Sequence, residues 1–147
     1  RNSITIENDE ISWGIEASLE LVDTCALVFD LHHHWVKTGE YISADDPRIQ
    51  RIIDSWRGVR PTLHYSVSRE DVLVGHSTSE RPDLIPLMEN GHNKQKLRAH
   101  SEYYWNDSVN DWALTFYDKF DIMCESKAKN LASFKLYDRY KQKVSYA

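Results

Sequence analysis

Short apolar runs alternate along this chain with longer segments in which apolar residues recur every three or four positions. Four of the runs have the length of a strand, and each stops at a residue that can bind a divalent metal. They are Ile4-Thr5-Ile6-Glu7, Ala26-Leu27-Val28-Phe29-Asp30, Pro61-Thr62-Leu63-His64 and Phe120-Asp121-Ile122-Met123-Cys124-Glu125. Strands that alternate with helical segments are typical of parallel sheets, so the pattern predicts an α/β fold.

The segments between these runs predict the helices. Helical spacing indicates helices over residues 15–24 and 107–118, and an amphipathic closing helix over residues 128–144. Another helix begins at Pro47 with Asp46 as its N-cap and stops at Gly58. We interpret the segment after Asp30 as a loop, and the polar stretch of residues 66–106 as a long functional loop.

The number of strand and helix units predicts a specific architecture. Four such units in 147 residues are close to half of an eight-unit barrel, which typically needs about 250 residues. We therefore predict a TIM (β/α)8 barrel and interpret residues 1–147 as the C-terminal half of its single catalytic domain. The chain opens with Arg1 almost directly inside a strand, as expected for a processed product or for the later part of a longer protein. Exposed strand edges should then pair with the missing N-terminal half or with a second copy of the chain.

Composition limits the remaining choices. With 41% hydrophobic residues the chain can bury one modest core, and its net charge is −5. No apolar run approaches the roughly 20 residues that cross a bilayer, and there is no signal-peptide pattern. We therefore expect an intracellular protein, cytoplasmic if bacterial, with no membrane partner. Cys25 and Cys124 lie in or beside apolar runs and are expected to be buried thiols.

The residues at the strand ends predict a metal site. Side chains alternate between the two faces of a strand, so the residue that ends each run shares the inward face with the residue two positions before it. A carboxylate at the edge of an apolar interior is costly unless it is paired or bound to a metal. Oxygen and imidazole donors together suit Mn²⁺, Zn²⁺ or Fe²⁺ better than Ca²⁺. The expected ligands from the strand ends are Glu7, Asp30, His64 and Glu125.

Histidines near these strand ends extend the predicted site. Residues 32–34 are three consecutive histidines that follow Asp30, and only one or two of them can face the same ion. We select His33 because it lies three residues after Asp30. His100 ends the long loop and can close over the site, whereas His76 and His92 are expected to be exposed loop residues. The basic side chains of residues 94–98 are more typical of a solvated loop face than of a phosphate track.

Five blocks, in order and across nearly the whole chain, resemble the UV damage endonuclease family. They are Ile4-Thr5-Ile6-Glu7-Asn8-Asp9, Val28-Phe29-Asp30-Leu31-His32-His33-His34, His64-Tyr65-Ser66, Arg98-Ala99-His100-Ser101 and Asp121-Ile122-Met123-Cys124-Glu125-Ser126-Lys127. The block that carries the three histidines is the most specific. The resemblance implies a TIM barrel similar to the endonuclease IV type, holding up to three divalent ions, usually manganese. It also implies nicking of damaged double-stranded DNA on the 5′ side of ultraviolet photoproducts, which starts an alternative excision repair route.

The resemblance implies a role for each matched residue. Glu7 matches a carboxylate that bridges two ions, and Glu7 and Glu125 are the implied catalytic residues. The remaining implied ligands are Asp30, His64 and Glu125 on the ion pair, and His33 and His100 on the third ion. Lys127 matches a family lysine for which substrate phosphate contact is the expected role. Thr62 departs from the family, which often has a carbamylated lysine at that position.

Three interpretations of the function of this chain remain. The first is the repair endonuclease, of which this chain is a fragment that is expected to be inactive alone. The second is a sugar isomerase or epimerase on a similar metal-binding barrel, an analogy of fold only. The third is a non-catalytic fragment that associates with itself through exposed strand edges. The histidine triplet and His100 favour the nuclease, because they supply ligands for a third ion.

Overall fold

The chain alternates parallel strands with helices that lie on one side of them. The computed structural model describes residues 5–9, 14–23, 25–101, 103–124 and 141. The described strands are β1 (Thr5–Glu7), β2 (Ala26–Asp30), β3 (Thr62–Tyr65) and β4 (Asp121–Cys124). The described helices are α1 (Ile15–Leu19), α2 (Leu31–Thr38), α3 (Pro47–Ser55), α4 (Leu84–Glu89), α5 (Lys94–Leu97) and α6 (Asp107–Leu114). The predicted α/β class is confirmed.

The four strands form one parallel sheet in the order β1-β2-β3-β4. Glu7 is in register with Val28, and Asp30 is in register with His64. At the last pair Tyr65 is in register with Cys124, the final residue of β4. The carboxyl ends of the strands therefore meet at one edge of the sheet, as predicted. Closure into a barrel, and the place of this chain as its second half, stay predictions.

The two faces of this sheet differ sharply in burial. One face packs against the helices and holds the fully buried side chains Leu27, Phe29, Leu63 and Tyr65. The opposite face, which we call the open face, carries Glu7 and Met123, and the Met123 side chain is 53% exposed. Strand alternation predicts this division, because neighbouring residues of a strand point to opposite faces. The hydrophobic core of the described residues thus lies on the helical side of the sheet.

Two of the predicted helices are shorter than expected, and a third starts as predicted but ends at Ser55, before Gly58. Helix α3 begins at Pro47, and the Asp46 carboxylate accepts a hydrogen bond from the Arg48 N–H at 2.8 Å. Helix α1 ends at Leu19, and residues 20–23 form turns. Helix α6 ends at Leu114, after which the backbone tightens into turns, as the Lys119 N–H shows by donating to the Phe116 carbonyl. The pattern of apolar residues does not distinguish such turns from a continued helix.

The predicted loop after Asp30 is wrong, because α2 begins at the next residue. The Asp30 carboxylate caps this helix by accepting a hydrogen bond from the His33 N–H at 2.8 Å. At the other end Gly39 has a φ of 78°, the left-handed conformation that commonly follows a helix. Trp35 and Val36 bury the apolar side of the helix. The cap and the glycine were signals in the sequence that the histidine run obscured.

The long segment of residues 66–106 is compact rather than extended. It contains the short helices α4 and α5, which position Leu84 and Leu97 against α2. These side chains form a second hydrophobic cluster with Trp35, Val36 and Leu73. A backbone bridge between Ser68 and His100 closes its two ends. The described residues of this segment therefore pack on α2 through a shared hydrophobic cluster.

The remaining expectations fall partly outside the described residues. Glu125 and Lys127 lie outside them, and of the predicted closing helix only Lys141 is described, with helical backbone. Cys25 and Cys124 form no disulfide and are half-buried rather than buried. Among the described helices, every one falls short of the length and apolar character that a bilayer crossing requires.

Candidate metal centre

Three potential ligands meet at the carboxyl end of the sheet. Glu7, Asp30 and His33 each offer a donor atom, and these atoms lie within 4.8 Å of one another. Glu7 ends β1, Asp30 ends β2, and His33 lies in the first turn of α2. The parallel register brings the strand ends together, and the helix cap then brings the histidine beside them. We call these three residues the ligand cluster.

Asp30 has two structural functions in this cluster. Its side chain is fully buried, and one carboxylate oxygen caps α2 through the His33 N–H. The other oxygen, Oδ2, lies 3.5 Å from His33 Nδ1. Because Asp30 both ends a strand and begins a helix, the strand fixes the position of the carboxylate and the helix fixes its rotation. The same residue therefore sets where the His33 ring lies.

Asn8 positions Asp30 and is a site residue that the sequence analysis missed. Its fully buried side-chain amide accepts a hydrogen bond from the Asp30 N–H at 2.8 Å and donates to the Asp30 carbonyl at 3.0 Å. The Asn8 backbone carbonyl also lies 2.8 Å from His33 Nδ1. A carbonyl only accepts, so this bond requires a proton on Nδ1, and in the neutral ring Nε2 then keeps its lone pair. The sequence shows only that an asparagine directly follows a strand-end acid, and it does not show that this side chain is buried.

His64 contacts the cluster from the neighbouring strand β3. Its Nδ1 lies 3.0 Å from Glu7 Oε1, and because a carboxylate oxygen accepts, the ring donates here. Burial alone would raise the pKa of Glu7, but the hydrogen bond from His64 and the nearby imidazoles lower it overall. Glu7 is thereby kept as a carboxylate, the form that binds metal. Thr62 lies two residues earlier on the same face of β3.

The other two histidines of the triplet, His32 and His34, lie outside the ligand cluster. His32 is buried, stacks on Trp35 and has its Nε2 3.0 Å from the Leu97 carbonyl. Burial, followed by the neighbouring His100, lowers the pKa of His32 to about 3, so its ring is neutral. His34 is also buried, and its Nε2 lies 2.7 Å from Glu40 Oε1. Only His33 of the triplet belongs to the ligand cluster.

The remaining predicted residues are placed as follows. His100 lies edge-on to His32, with ring centroids 6.2 Å apart, and is not part of the ligand cluster. Glu125 and Lys127 are outside the described residues. The expectation that His76 and His92 are merely exposed is wrong: both are half-buried. His76 lies edge-on to Trp105, and both ring nitrogens of His92 lie 3.2 Å from backbone carbonyls.

The donor set of the cluster fits a divalent transition metal. It combines carboxylate oxygens with one imidazole, a mixture that suits Mn²⁺, Zn²⁺ or Fe²⁺ better than Ca²⁺. Exposure of the side chains rises from 0% at Asp30 through 22% at His33 to 36% at Glu7. The buried side of the cluster is thus fixed by protein, while the open side faces the solvent.

Comparison with known proteins identifies relatives for the whole chain. The family described as UV-endonuclease UvdE matches residues 1–146. The chain is 29% identical over 144 residues to the UV-damage endonuclease of Schizosaccharomyces pombe, covering 93% of this chain and 20% of that protein. It is 26% identical over 145 residues to the UV DNA damage endonuclease of Bacillus cereus strain B4264, covering 94% of this chain and 38% of that protein.

A solved structure has the same fold over most of the chain. The crystal structure of SacUVDE superposes with a TM-score of 0.63 at 20% sequence identity. The superposition covers 94% of this chain and 39% of that one. The chain thus spans well under half the length of each of these relatives.

Proposed function

Because the chain belongs to the UV-endonuclease UvdE family, we propose that the protein carrying it is a metal-dependent DNA repair endonuclease. It would nick double-stranded DNA on the 5′ side of ultraviolet photoproducts. The observation that supports this proposal most directly is the ligand cluster of Glu7, Asp30 and His33 on the open face. Because the chain spans only 20% and 38% of two of its relatives, the activity belongs to the longer protein.

The residues at the site have distinct roles in this proposal. Glu7, Asp30 and His33 would hold a divalent ion, with His64 beside Glu7 as a further ligand. We also assign His100 and Glu125 as ligands and Lys127 as a substrate contact, from the matched family positions. Manganese is the proposed metal, with up to three ions in the complete enzyme. A bound divalent ion would supply Lewis acidity at a phosphodiester.

The chain itself would contribute a fixed electrostatic frame for this chemistry. The contact with His64 favours the charged form of Glu7 and opposes the effect of burial on its pKa. Asn8 holds the Asp30 backbone from both sides, and its carbonyl selects one tautomer of His33. Such supporting contacts orient ligands and set their basicity. Preorganised charge of this kind needs little rearrangement when a substrate phosphate arrives.

An incision assay on the full-length protein tests the proposal. Supercoiled plasmid is irradiated with ultraviolet light and incubated with protein that has been stripped of metal and then resupplied with Mn²⁺. We expect nicking of irradiated plasmid only when metal is present, and end-mapping should place each nick on the 5′ side of a photoproduct. Equal cutting of unirradiated plasmid would contradict the lesion specificity. Full activity in the presence of a strong chelator would contradict the metal requirement.

A further inference from the structure

The segment of residues 66–106 forms a cavity outside the ligand cluster. This cavity, which we call the loop pocket, has a volume of about 500 Å³ and is lined by three aromatic rings, those of His76, Tyr103 and Trp105. Ser101 also lines it, one residue after His100. The volume lies within the range of small-molecule sites in proteins, roughly 300–1,000 Å³. The pocket therefore has the size and the lining for one planar aromatic group.

The aromatic lining is held in place by the protein. Tyr104 stacks on Tyr65, with ring centroids 4.8 Å apart, and donates a hydrogen bond to the Tyr65 carbonyl. The Trp105 indole donates to the Ser68 carbonyl at 2.8 Å. The His76 ring lies edge-on to the Trp105 ring. Tyr103 directly precedes Tyr104, donates its N–H to the Ser101 hydroxyl at 3.3 Å and lies at the rim with 36% of its surface exposed. A partly exposed ring with a fixed backbone contact is suited to stacking.

The charges around the loop pocket suit a base better than a phosphate. Arg69 is paired with Asp71 in two hydrogen bonds of 2.9 and 2.7 Å, so its charge is largely neutralised. Glu70 adds a negative charge to the same lining. A nucleobase is neutral, and every base has a face that stacks on aromatic rings. A free anion would meet net negative charge here.

A second groove adjoins the loop pocket and offers the complementary chemistry. It shares Arg69 and Asp71 with the pocket and is lined further by Asn93, Gln95 and Lys96. Lys96 is exposed in α5, within the basic stretch of residues 94–98. Positive and amide side chains of this kind contact phosphate oxygens. A base site and a phosphate site therefore lie side by side, separated by one ion pair.

We propose that the loop pocket receives one unstacked base of the DNA substrate against Tyr103, while an adjoining phosphate lies on Lys96. The assignment rests on the proposed function, since it names how the same protein grips its DNA. It gives the long loop a part in holding the strand and uses an aromatic and a basic group in the combination found in single-strand binding surfaces. The ligand cluster is not involved in this contact.

Binding measured without metal separates this contact from catalysis. The full-length protein is mixed, in a chelator, with a labelled duplex that contains a single photoproduct and a 2-aminopurine beside it. We expect Tyr103→Ala to weaken binding about tenfold and to abolish quenching of the 2-aminopurine, and Tyr103→Phe to retain both. Lys96→Ala should lower the slope of log affinity against log salt by about one.

The chain offers matched controls at the opposite end of the sheet. Tyr117 is equally exposed and contacts Arg60, whose side chain reaches Asp121 at the start of β4. Tyr117→Ala and Lys119→Ala should bind the duplex as the parent does. Unchanged affinity and quenching in Tyr103→Ala, in a protein that still incises irradiated DNA, would overturn the pocket assignment alone. Absence of both binding and incision in the parent would overturn the proposed function and the pocket assignment together.

Discussion

The two faces of the sheet carry different properties of this molecule. On the helical face Leu27, Phe29 and Leu63 are fully buried, and their packing stabilises the fold. On the open face the strand ends carry acids and histidines, and Met123 is left exposed. Neighbouring residues of each strand point to opposite faces of the sheet. Stability and chemistry can therefore be disrupted separately by substitutions in the same strand.

The largest expected effect is on activity and comes from the open face. Glu7→Gln keeps the shape of the side chain but removes the charge that attracts a metal. Because metal ions contribute several kcal/mol to phosphodiester cleavage, incision by the full-length protein should fall at least about a hundredfold while the fold persists. His33→Ala should cause a smaller loss. Glu89→Gln removes the same charge from the exposed end of α4 and should leave incision unchanged, whereas full activity in Glu7→Gln would remove the metal assignment.

The next effect is on stability and comes from the helical face. Leu63→Ala opens a cavity in the core and should lower the free energy of unfolding by about 2–5 kcal/mol. Met123→Ala, on β4 beside it, should change the free energy by no more than about 0.5 kcal/mol in the 147-residue chain. Urea unfolding followed by circular dichroism measures both. Similar losses of unfolding free energy for the two variants would contradict the exposure of Met123 on the open face.

The unfolding free energies of Leu63→Ala and Met123→Ala can also be compared in the full-length protein. If the missing part of a barrel covers the open face, Met123→Ala should become more costly there than in the 147-residue chain. The difference between the two contexts measures how far that face is covered. No difference would contradict closure of the barrel over Met123.

A smaller effect on stability and metal affinity is expected from substitution of Asn8, whose side chain holds the Asp30 backbone. Asn8→Ala leaves the buried Asp30 N–H and carbonyl without their amide partner, which should cost about 1–3 kcal/mol of stability. The affinity for Mn²⁺ should also fall, by roughly 10- to 100-fold, because Asp30 loses the side-chain amide that holds its backbone, while the Asn8 backbone carbonyl beside His33 is kept. Calorimetric titration with Mn²⁺ measures the affinity. Asn90→Ala, at the exposed end of α4, is the control, and identical metal binding in the two variants would contradict the positioning role of Asn8.

Much of the fold follows from the apolar pattern, for a physical reason. Buried strands are short and uninterrupted, so their ends are visible in the sequence, and β2 and β3 are placed within one residue of the prediction. The start of α3 was equally clear, because Asp46 and Pro47 act only on their near neighbours. Helix α2 was missed because its first turn is occupied by histidines, whose burial depends on distant partners such as Leu97 and Glu40.

The candidate site was harder to infer than the strands. Glu7, Asp30 and His33 are found together, as the strand ends and the spacing from Asp30 indicated. Asn8 was not identified, because its role is to bind backbone groups 22 residues away, which composition and periodicity do not encode. The aromatic loop pocket was invisible for the same reason. It forms only when residues 69–78 and 101–105 meet in the folded chain.

The location of bound manganese is the most direct test of the metal centre proposed at Glu7, Asp30 and His33. Crystals of the full-length protein grown with Mn²⁺ would be measured at a wavelength where manganese scatters anomalously. We predict an anomalous peak within coordination distance of the carboxylates of Glu7 and Asp30 and of the His33 ring. Manganese bound only elsewhere in the protein, with no peak within reach of Glu7, would contradict the metal centre proposed for the open face.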